Sequence, residues 1–202
     1  MKGYHIYFIR CGLTKANEEN IYCGITDFSL SPKGMSNLYQ MKENSDYPNI
    51  EQVFSAPLKR CTESASIIFP NTPILSMSEF NELDLGDFEN KSSDELVNDE
   101  NFKAWLKGEQ APPNGETLTS LTTRSFEGLN KIIREMMNED LRNVAVVTTS
   151  GVITNICTSF GIPKYAPQQL FLAPGEGIET LVTAQLWLQA QALEILEFIN
   201  KF

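Results

Sequence analysis

Three polar segments each follow a short apolar or β-branched run, and they carry the candidate chemistry of this chain. They are Arg10-Cys11-Gly12, Ser55-Ala56-Pro57 and Thr148-Thr149-Ser150-Gly151. The Arg10 guanidinium can bind an oxyanion through paired, charge-assisted hydrogen bonds, and a charged residue at a strand end favours this role over a structural one. The Cys11 thiol becomes a nucleophile when it is deprotonated. These residue types predict an anion site that contains one candidate nucleophile.

The elements that must position these segments alternate between strands and helices. Strands are predicted at 4–9, 51–55, 73–77 and 144–149, helices at 32–44, 57–69, 116–138 and 152–160, and short helices within 93–107. This order predicts an α/β fold with a mostly parallel sheet covered by helices on both faces. Ligands sit beyond the carboxyl ends of such strands, so the three polar segments should converge on one site. Residues 177–202 fit either strand or helix.

Composition and charge limit the class of protein and its partners. The chain has 202 residues, 42% hydrophobic and 21% charged, which suits a single domain over 1–202 with its own core. A net charge of −10 argues against nucleic acid and anionic membrane as partners, so a phosphorylated ligand would need well-placed arginines. The first 12 residues hold only a short apolar run, which predicts no signal peptide, and a cytoplasmic location is expected. The oligomeric state stays open.

The four cysteines show no spacing typical of a zinc site. They are Cys11, Cys23, Cys61 and Cys157. The simplest interpretation is free thiols in a reducing compartment, with no metal and no cofactor. A thiol cluster, a metal site or a redox pair among the first three is an alternative to three small residues lining a pocket.

Five motifs in a fixed order resemble the histidine phosphatase superfamily. They are FIRCGLTKAN at 8–17, FSAPLKRCTESA at 54–65, NELDLGDFEN at 81–90, NGETLTSLTTR at 114–124 and VVTTSGVI at 146–153. The matching branch contains cofactor-dependent phosphoglycerate mutase, fructose-2,6-bisphosphatase and alpha-ribazole phosphatase. The resemblance covers most of the chain and fades after about residue 165. It implies a three-layer α/β sandwich of the phosphoglycerate-mutase type, with a lid-like insertion near 85–115.

The resemblance also implies roles for individual residues. Arg10 and Arg60 correspond to the family's phosphate-binding arginines, and Glu82 corresponds to its proton donor. Asn17 matches the asparagine of the first motif and is expected beside the phosphate, as is Ser150, which replaces a glycine. Cys11 stands where the family has its nucleophilic histidine, and Thr149 stands where it has the second histidine.

The loss of both histidines removes the chemistry that the family uses. The only histidine, His5, lies upstream in the first strand and cannot replace either one. A Cys11 thiolate beside two arginines would be a good nucleophile, but its sulfur reaches roughly 2–3 Å less far than an imidazole nitrogen, and attack needs contact near 3–3.5 Å. Thr149 supplies no cationic donor, and the loss of one such donor reduces the rate by about 10²–10³.

Three functions therefore compete. The first is a catalytically degenerate protein that binds a phosphorylated small molecule or a phosphopeptide through Arg10 and Arg60. The second is an active phosphomonoesterase that uses Cys11. The third is a protein-interaction scaffold without a ligand, in which Arg10, Arg60 and Glu82 form a buried ion cluster. The short chain favours the phosphatase side of the family over the mutase side.

Overall fold

A seven-stranded sheet forms the centre of the molecule. The computed structural model describes residues 2–44 and 47–200. The strands are β1 (Tyr4–Arg10), β2 (Gln52–Ser55), β3 (Ile74–Ser76), β4 (Asn143–Thr148), β5 (Gly161–Ile162), β6 (Gly177–Val182) and β7 (Leu193–Ile199), and their order is β3-β2-β4-β1-β6-β7-β5. The β3-β2, β2-β4, β4-β1 and β5-β7 pairs are parallel, whereas β1-β6 and β6-β7 are antiparallel. The predicted mostly parallel α/β sheet is confirmed.

The central strands are apolar on both faces, which is why they lie in the middle of the sheet. Ile6, Phe8 and Ile9 of β1 are fully buried, as are residues 144–147 of β4. Such runs are typical of parallel strands that are covered from both sides. In the observed register Ile9 lies opposite Val147, so β1 and β4 end side by side.

The described residues contain eight α-helices. They are α1 (Lys15–Glu18), α2 (Pro32–Asn44), α3 (Lys59–Ile68), α4 (Ser93–Leu96), α5 (Glu100–Leu106), α6 (Leu118–Glu139), α7 (Ser150–Phe160) and α8 (Ala184–Ala190). Of these, α3 and α7 pack directly on strands of the sheet, α2 packs on α3, and α6 packs on α7. No helix among the described residues has the length and apolar character that a membrane span requires.

The order in which strands are added to the sheet changes direction at β1 and β4. After β1 the chain adds β2 and then β3 toward one edge of the sheet, whereas after β4 it crosses through α7 to β5 at the other edge. Since crossovers are right-handed, the helices that follow β1 and β4 lie on opposite faces. A crevice opens between the carboxyl ends of two such strands, and this is the usual ligand position in open α/β sheets.

Residues 177–200, for which the sequence fitted either strand or helix, contain two strands and one helix. Residues 177–182 form β6, whereas 184–190 of the same apolar stretch form the helix α8, which begins at the cap residue Thr183. Residues 193–199 form β7, in which Leu193, Ile195 and Ile199 are buried, Phe198 is half-buried and the other three residues are exposed. Residues 201–202 lie outside the described part of the chain.

Candidate functional site

A small cavity of about 100 Å³ lies at the carboxyl ends of β1 and β4. Its lining contains every site residue that the sequence predicted, together with Gly12, Thr14 and Cys23. The predicted residues in the lining are Arg10, Cys11, Asn17, Arg60, Glu82, Thr149 and Ser150. The polar segments after β1 and β4 thus meet as expected, whereas Ser55-Ala56-Pro57 after β2 does not line the cavity, and α3 and the loop of Glu82 complete the walls.

Arg60 reaches the cavity from the first turn of α3. Its side chain is buried, and its guanidinium donates hydrogen bonds to the carbonyl oxygens of Gly24 (2.5 Å) and Thr26 (2.8 Å). Burial alone would lower the pKa of Arg60, but the sulfurs of Cys23 and Cys11 nearby leave it above its ordinary value. Arg60 is therefore a fixed cation at the cavity wall.

Arg10 supplies a second cation from the last position of β1. Its Nη1 donates a hydrogen bond to the Leu172 carbonyl, and its guanidinium lies 5.6 Å from the centre of the Phe171 ring. Burial lowers the pKa of Arg10, although a guanidinium keeps its proton at neutral pH. Among the described residues only Leu172 accepts a hydrogen bond from this side chain, so its other N–H groups are available to a ligand.

Two buried thiols lie beside these arginines. The Cys61 thiol donates a hydrogen bond to the Cys11 sulfur, and this bond lowers the pKa of Cys11 and raises that of Cys61 well above its usual range. Arg60 and Arg10 lower the pKa of Cys11 further, against the opposing effect of its burial. Of the two thiols, Cys11 is therefore the one that loses its proton more readily.

The N-terminus of α7 lies at the same cavity, and the side chain of its cap residue lacks the usual hydrogen bond. Thr149 occupies the cap position of this 11-residue helix but forms no side-chain cap bond. Its Oγ1 is buried and has no hydrogen-bond partner among the described residues. A buried hydroxyl without a partner is expensive, and an uncapped helix N-terminus attracts anions. Both features favour an acceptor-rich ligand next to Thr149 and Ser150.

A much larger cleft of about 820 Å³ lies outside the small cavity and shares Asn17, Cys23 and Glu82 with its lining. Its walls are mainly apolar. They include Ile21, Tyr22, Leu85, Trp105, Leu106 and Leu118. Tyr22 and Trp105 meet edge to face, with ring centres 5.9 Å apart. The sequence did not predict this cleft, because its walls come from α1, α5, α6 and loops that are far apart in the chain.

Residues 6–182 match the histidine phosphatase superfamily (branch 1). This chain belongs to that superfamily. The match includes β6 and so extends beyond residue 165, where the motifs alone fade. The reason is that β6 contributes apolar strand residues and no distinctive polar motif.

Relatives and solved structures agree with this assignment. The chain is 30% identical over 181 residues to the uncharacterized phosphatase PhoE of Bacillus subtilis (strain 168), covering 86% of this chain and 87% of that protein. It is 25% identical over 169 residues to the adenosylcobalamin/alpha-ribazole phosphatase of Escherichia coli (strain K12), covering 80% and 81%. The structure of Bacillus stearothermophilus YhfR shares the fold with a TM-score of 0.80 at 20% identity, covering 98% and 96%.

For a histidine phosphatase, this chain has an unusual site, because no imidazole reaches the cavity. His5 is the second residue of β1, about 16 Å before Arg10 at the rise of an extended strand. Its Nδ1 lies 2.5 Å from Glu179 Oε1, so the ring has a partner within the sheet, as the sequence predicted. Among the described residues no cluster of histidine, cysteine and carboxylate side chains could hold a metal ion.

Asn17 and Glu82 both line the cavity but have further partners. Asn17 Oδ1 accepts hydrogen bonds from the backbone N–H and the hydroxyl of Thr14, which caps α1, so only its amide N–H₂ group remains free for a ligand. Glu82 lies against the start of α7, where a Cβ on Gly151 would come within 2.7 Å of Glu82 Oε1. Glycine at 151 therefore permits the carboxylate to approach the helix.

Glu89 holds the loop that positions Arg60, and the sequence did not single it out. Its carboxylate accepts hydrogen bonds from the backbone N–H groups of Gly24 (3.1 Å), Ile25 (2.9 Å) and Thr26 (3.4 Å) and from the Thr26 hydroxyl (2.6 Å). The carbonyls of this same loop bind Arg60. One carboxylate thus fixes both the loop and, through it, the Arg60 guanidinium.

Replacing Glu89 with glutamine should destabilise the fold. An amide presents N–H₂ where the loop presents donors, so part of this set loses its acceptor, and the free energy of unfolding should fall by about 2 kcal/mol. Urea unfolding measures the change. The exposed Glu100, paired with Lys103, is a matched control, and Glu100→Gln should change stability by no more than about 0.5 kcal/mol. Equal effects of the two substitutions would contradict the role of Glu89.

Proposed function

We propose that this chain is a catalytically degenerate histidine phosphatase that binds the phosphate group of a phosphorylated small molecule or phosphopeptide through Arg10 and Arg60. The observation that carries the proposal is the small cavity itself. It joins the buried guanidinium of Arg60 and the half-buried guanidinium of Arg10 to an unpartnered Thr149 hydroxyl and an uncapped helix N-terminus. All four features attract an oxyanion, and none requires an imidazole.

The size and charge of the cavity support a single oxyanion group. A volume of about 100 Å³ corresponds to roughly three waters at about 30 Å³ each, which suits a single tetrahedral oxyanion. The chain carries a net charge of −10, so two cations at one buried point run against the general field. Such an arrangement selects a specific anion rather than polyanions in general.

The rest of the ligand would lie in the outer cleft. The cleft meets the cavity at Asn17, Cys23 and Glu82, so a phosphate on the arginines leaves its substituent among apolar walls. The α4–α5 segment within 85–115 supplies Trp105 and Leu106 to these walls. We therefore propose that this segment acts as the lid over the ligand.

The replaced histidines explain why binding would not lead to efficient turnover. In the family reaction that the resemblance implies, one imidazole attacks phosphorus and the other stabilises the transferred group. Here a short thiol and a neutral hydroxyl occupy these positions, at Cys11 and Thr149. Loss of a nucleophile removes the covalent route, and loss of one donor alone reduces rates by about 10²–10³.

A second candidate is a phosphomonoesterase that uses Cys11, and one observation favours it. The pKa of Cys11 is lowered by the Cys61 hydrogen bond and by Arg60 and Arg10, which increases the fraction of thiolate. In this mechanism the thiolate would attack phosphorus, and Glu82 would protonate the leaving oxygen. Water would then hydrolyse the thiophosphate.

Sulfate binding and its dependence on pH test the proposal. Sulfate at about 100 times its dissociation constant should add roughly 2.7 kcal/mol of stability, which corresponds to about 5–10 °C in a thermal melt. Above the lowered pKa of Cys11 its thiolate places a negative charge between the arginines. The shift should therefore shrink from about pH 6 to about pH 9, a range that spans the ordinary thiol value. The Cys11→Ser variant should keep the shift and lose this decline.

Three outcomes separate the candidate functions. A sulfate shift with negligible hydrolysis of p-nitrophenyl phosphate supports the degenerate binding protein. Hydrolysis that disappears in Cys11→Ser supports the phosphomonoesterase. No shift with sulfate, phosphate or vanadate at any pH would contradict both and leave the interaction scaffold.

The four free cysteines and the net charge support two further parts of the proposal. We place the protein in a reducing compartment, the cytoplasm, where free thiols persist. We also expect neither nucleic acid nor an anionic membrane as a partner, because the phosphate backbone and the lipid head groups carry the same sign of charge.

A further inference from the structure

Cys11 and Cys61 form a pair at the floor of the small cavity that the proposed anion binding does not use. Two contacts define their geometry. The Cys61 thiol donates a hydrogen bond to the Cys11 sulfur. The Gly12 backbone N–H donates to Ser64 Oγ at 2.9 Å, and Ser64 lies one turn after Cys61 on α3. The helix face that carries Cys61 is therefore held against the 11–12 segment.

The two sulfurs differ in their access from outside. Cys11 is buried but lines the small cavity, which shares Asn17, Cys23 and Glu82 with the lining of the outer cleft, so the cavity is the route by which a small molecule would reach Cys11. Cys61 is fully buried and lines neither cavity. Of these two thiols, a reagent in the cavity meets Cys11 first, and Cys61 lies behind it.

The surroundings favour a reactive Cys11. Arg10 and Arg60 stabilise the thiolate by charge, and the donor from Cys61 stabilises it by hydrogen bonding. Thiolates with an accessible sulfur and a neighbouring thiol are the ones that hydroperoxides oxidise. The guanidinium and amide donors can also bind the peroxide oxygens, since these oxygens accept hydrogen bonds.

We propose that Cys11 and Cys61 form an oxidation site for small hydroperoxides, in which Cys11 is the peroxidatic thiol and Cys61 the resolving thiol. The Cys11 thiolate attacks the distal peroxide oxygen, the O–O bond breaks, and the alkoxide or hydroxide leaves with a proton from solvent. Cys11 is now a sulfenic acid. The Cys61 sulfur attacks it, the S–O bond breaks, and the hydroxide leaves as water with the Cys61 proton. A disulfide has formed, the peroxide has been reduced, and an external dithiol restores both thiols.

The other two cysteines lack this combination. Burial raises the pKa of Cys157 to about 12, and Cys157 lines neither cavity. Burial raises the pKa of Cys23 to about 11, and its thiol donates to the Thr26 carbonyl at 3.3 Å. The rate at which peroxide oxidises Cys157 therefore serves as a control for non-specific oxidation. The rate for Cys23 tests whether exposure alone makes a thiol reactive.

A variant with two thiols gives the sharpest test. The Cys23→Ser/Cys157→Ser protein keeps only Cys11 and Cys61, so a thiol titration after denaturation counts them alone. A small excess of hydrogen peroxide should reduce the count from two to zero, and peptide mapping should find a link between Cys11 and Cys61 within one chain. Adding Cys61→Ser should stop the reaction at a Cys11 sulfenic acid that dimedone traps.

Three results would overturn the proposal. They are two titratable thiols after a peroxide dose that consumes free glutathione, a disulfide between chains rather than within one, and loss of Cys157 in the unmodified protein as fast as loss of Cys11. Peptide mapping of the unmodified chain repeats the test if the double variant fails to fold. The inference does not require the proposed anion binding, because it can fail while sulfate still binds.

Discussion

Replacing Arg60 with methionine should weaken sulfate binding at least about 100-fold, the largest loss expected from any single substitution in this site. Removing one member of a buried, hydrogen-bonded charge contact costs roughly 2–5 kcal/mol, and 100-fold is about 2.7 kcal/mol. Arg60 is buried at the cavity wall and faces the same small volume as Arg10. Methionine keeps much of the side-chain length and packing, so the change mainly removes the charge and the donors.

The same substitution also affects the loop at residues 24–26. Its carbonyls at Gly24 and Thr26 accept from Arg60, so the variant should melt at a lower temperature without any ligand. The sulfate-induced shift must therefore be measured against the variant's own baseline. Arg60→Lys should restore some binding but not the forked contact, because a lysine cannot bridge two acceptors in a fixed plane.

Arg142 provides the matched control for this experiment. It precedes β4, at the opposite end of the sheet from the cavity, and its guanidinium lies 5.3 Å from the Tyr4 ring centre. Arg142→Met removes one positive charge from the same protein and should leave the sulfate affinity within about twofold, since exposed charges at this distance are screened. If both methionine variants bound sulfate equally and as well as the unmodified chain, the anion site would be refuted.

The sequence predicted the elements that surround the cavity because local patterns determine them. The apolar runs of β1 and β4 indicate buried strands, and Ser31 caps α2 as its position suggested, with the Gly34 backbone N–H donating to Ser31 Oγ at 3.0 Å. The convergence of Arg10 with Thr149 follows from the rule that neighbouring parallel strands end at one edge. The motifs, the order of the elements and the sheet topology therefore all predicted a site at the carboxyl ends of β1 and β4.

Long-range side-chain contacts account for what the sequence did not predict. Glu89 accepts hydrogen bonds from residues about 64 positions earlier, and no local pattern marks a carboxylate that will meet the backbone donors of a distant loop. The contact between Cys11 and Cys61 spans two elements in the same way. The helix α8 went unpredicted because its residues continue the apolar run of β6, and only the capping residue Thr183 divides them.

Restoring both histidines, as Cys11→His/Thr149→His, should give a phosphatase at least about 100-fold faster than the unmodified chain on p-nitrophenyl phosphate. Histidine at 11 supplies the longer nucleophile, and histidine at 149 supplies a cationic donor beside the N-terminus of α7. Arg10, Arg60 and Glu82 already line the cavity that the imidazoles would enter. Steady-state rates at saturating substrate measure the gain.

The two single variants decide whether these positions act as a unit. Groups in one catalytic apparatus are strongly non-additive, so each single histidine should recover far less than the pair. Adding Glu82→Gln to the pair should remove most of the recovered rate on an alkyl phosphate, because the leaving oxygen then lacks its proton donor, whereas the rate on p-nitrophenyl phosphate, an activated substrate, should suffer least. A paired variant that folds and binds sulfate but turns over no faster than the parent would contradict this view. In that case more than the two imidazoles separates this chain from its catalytic relatives, and Ser150, which replaces a glycine where α7 begins, would be the next position to restore.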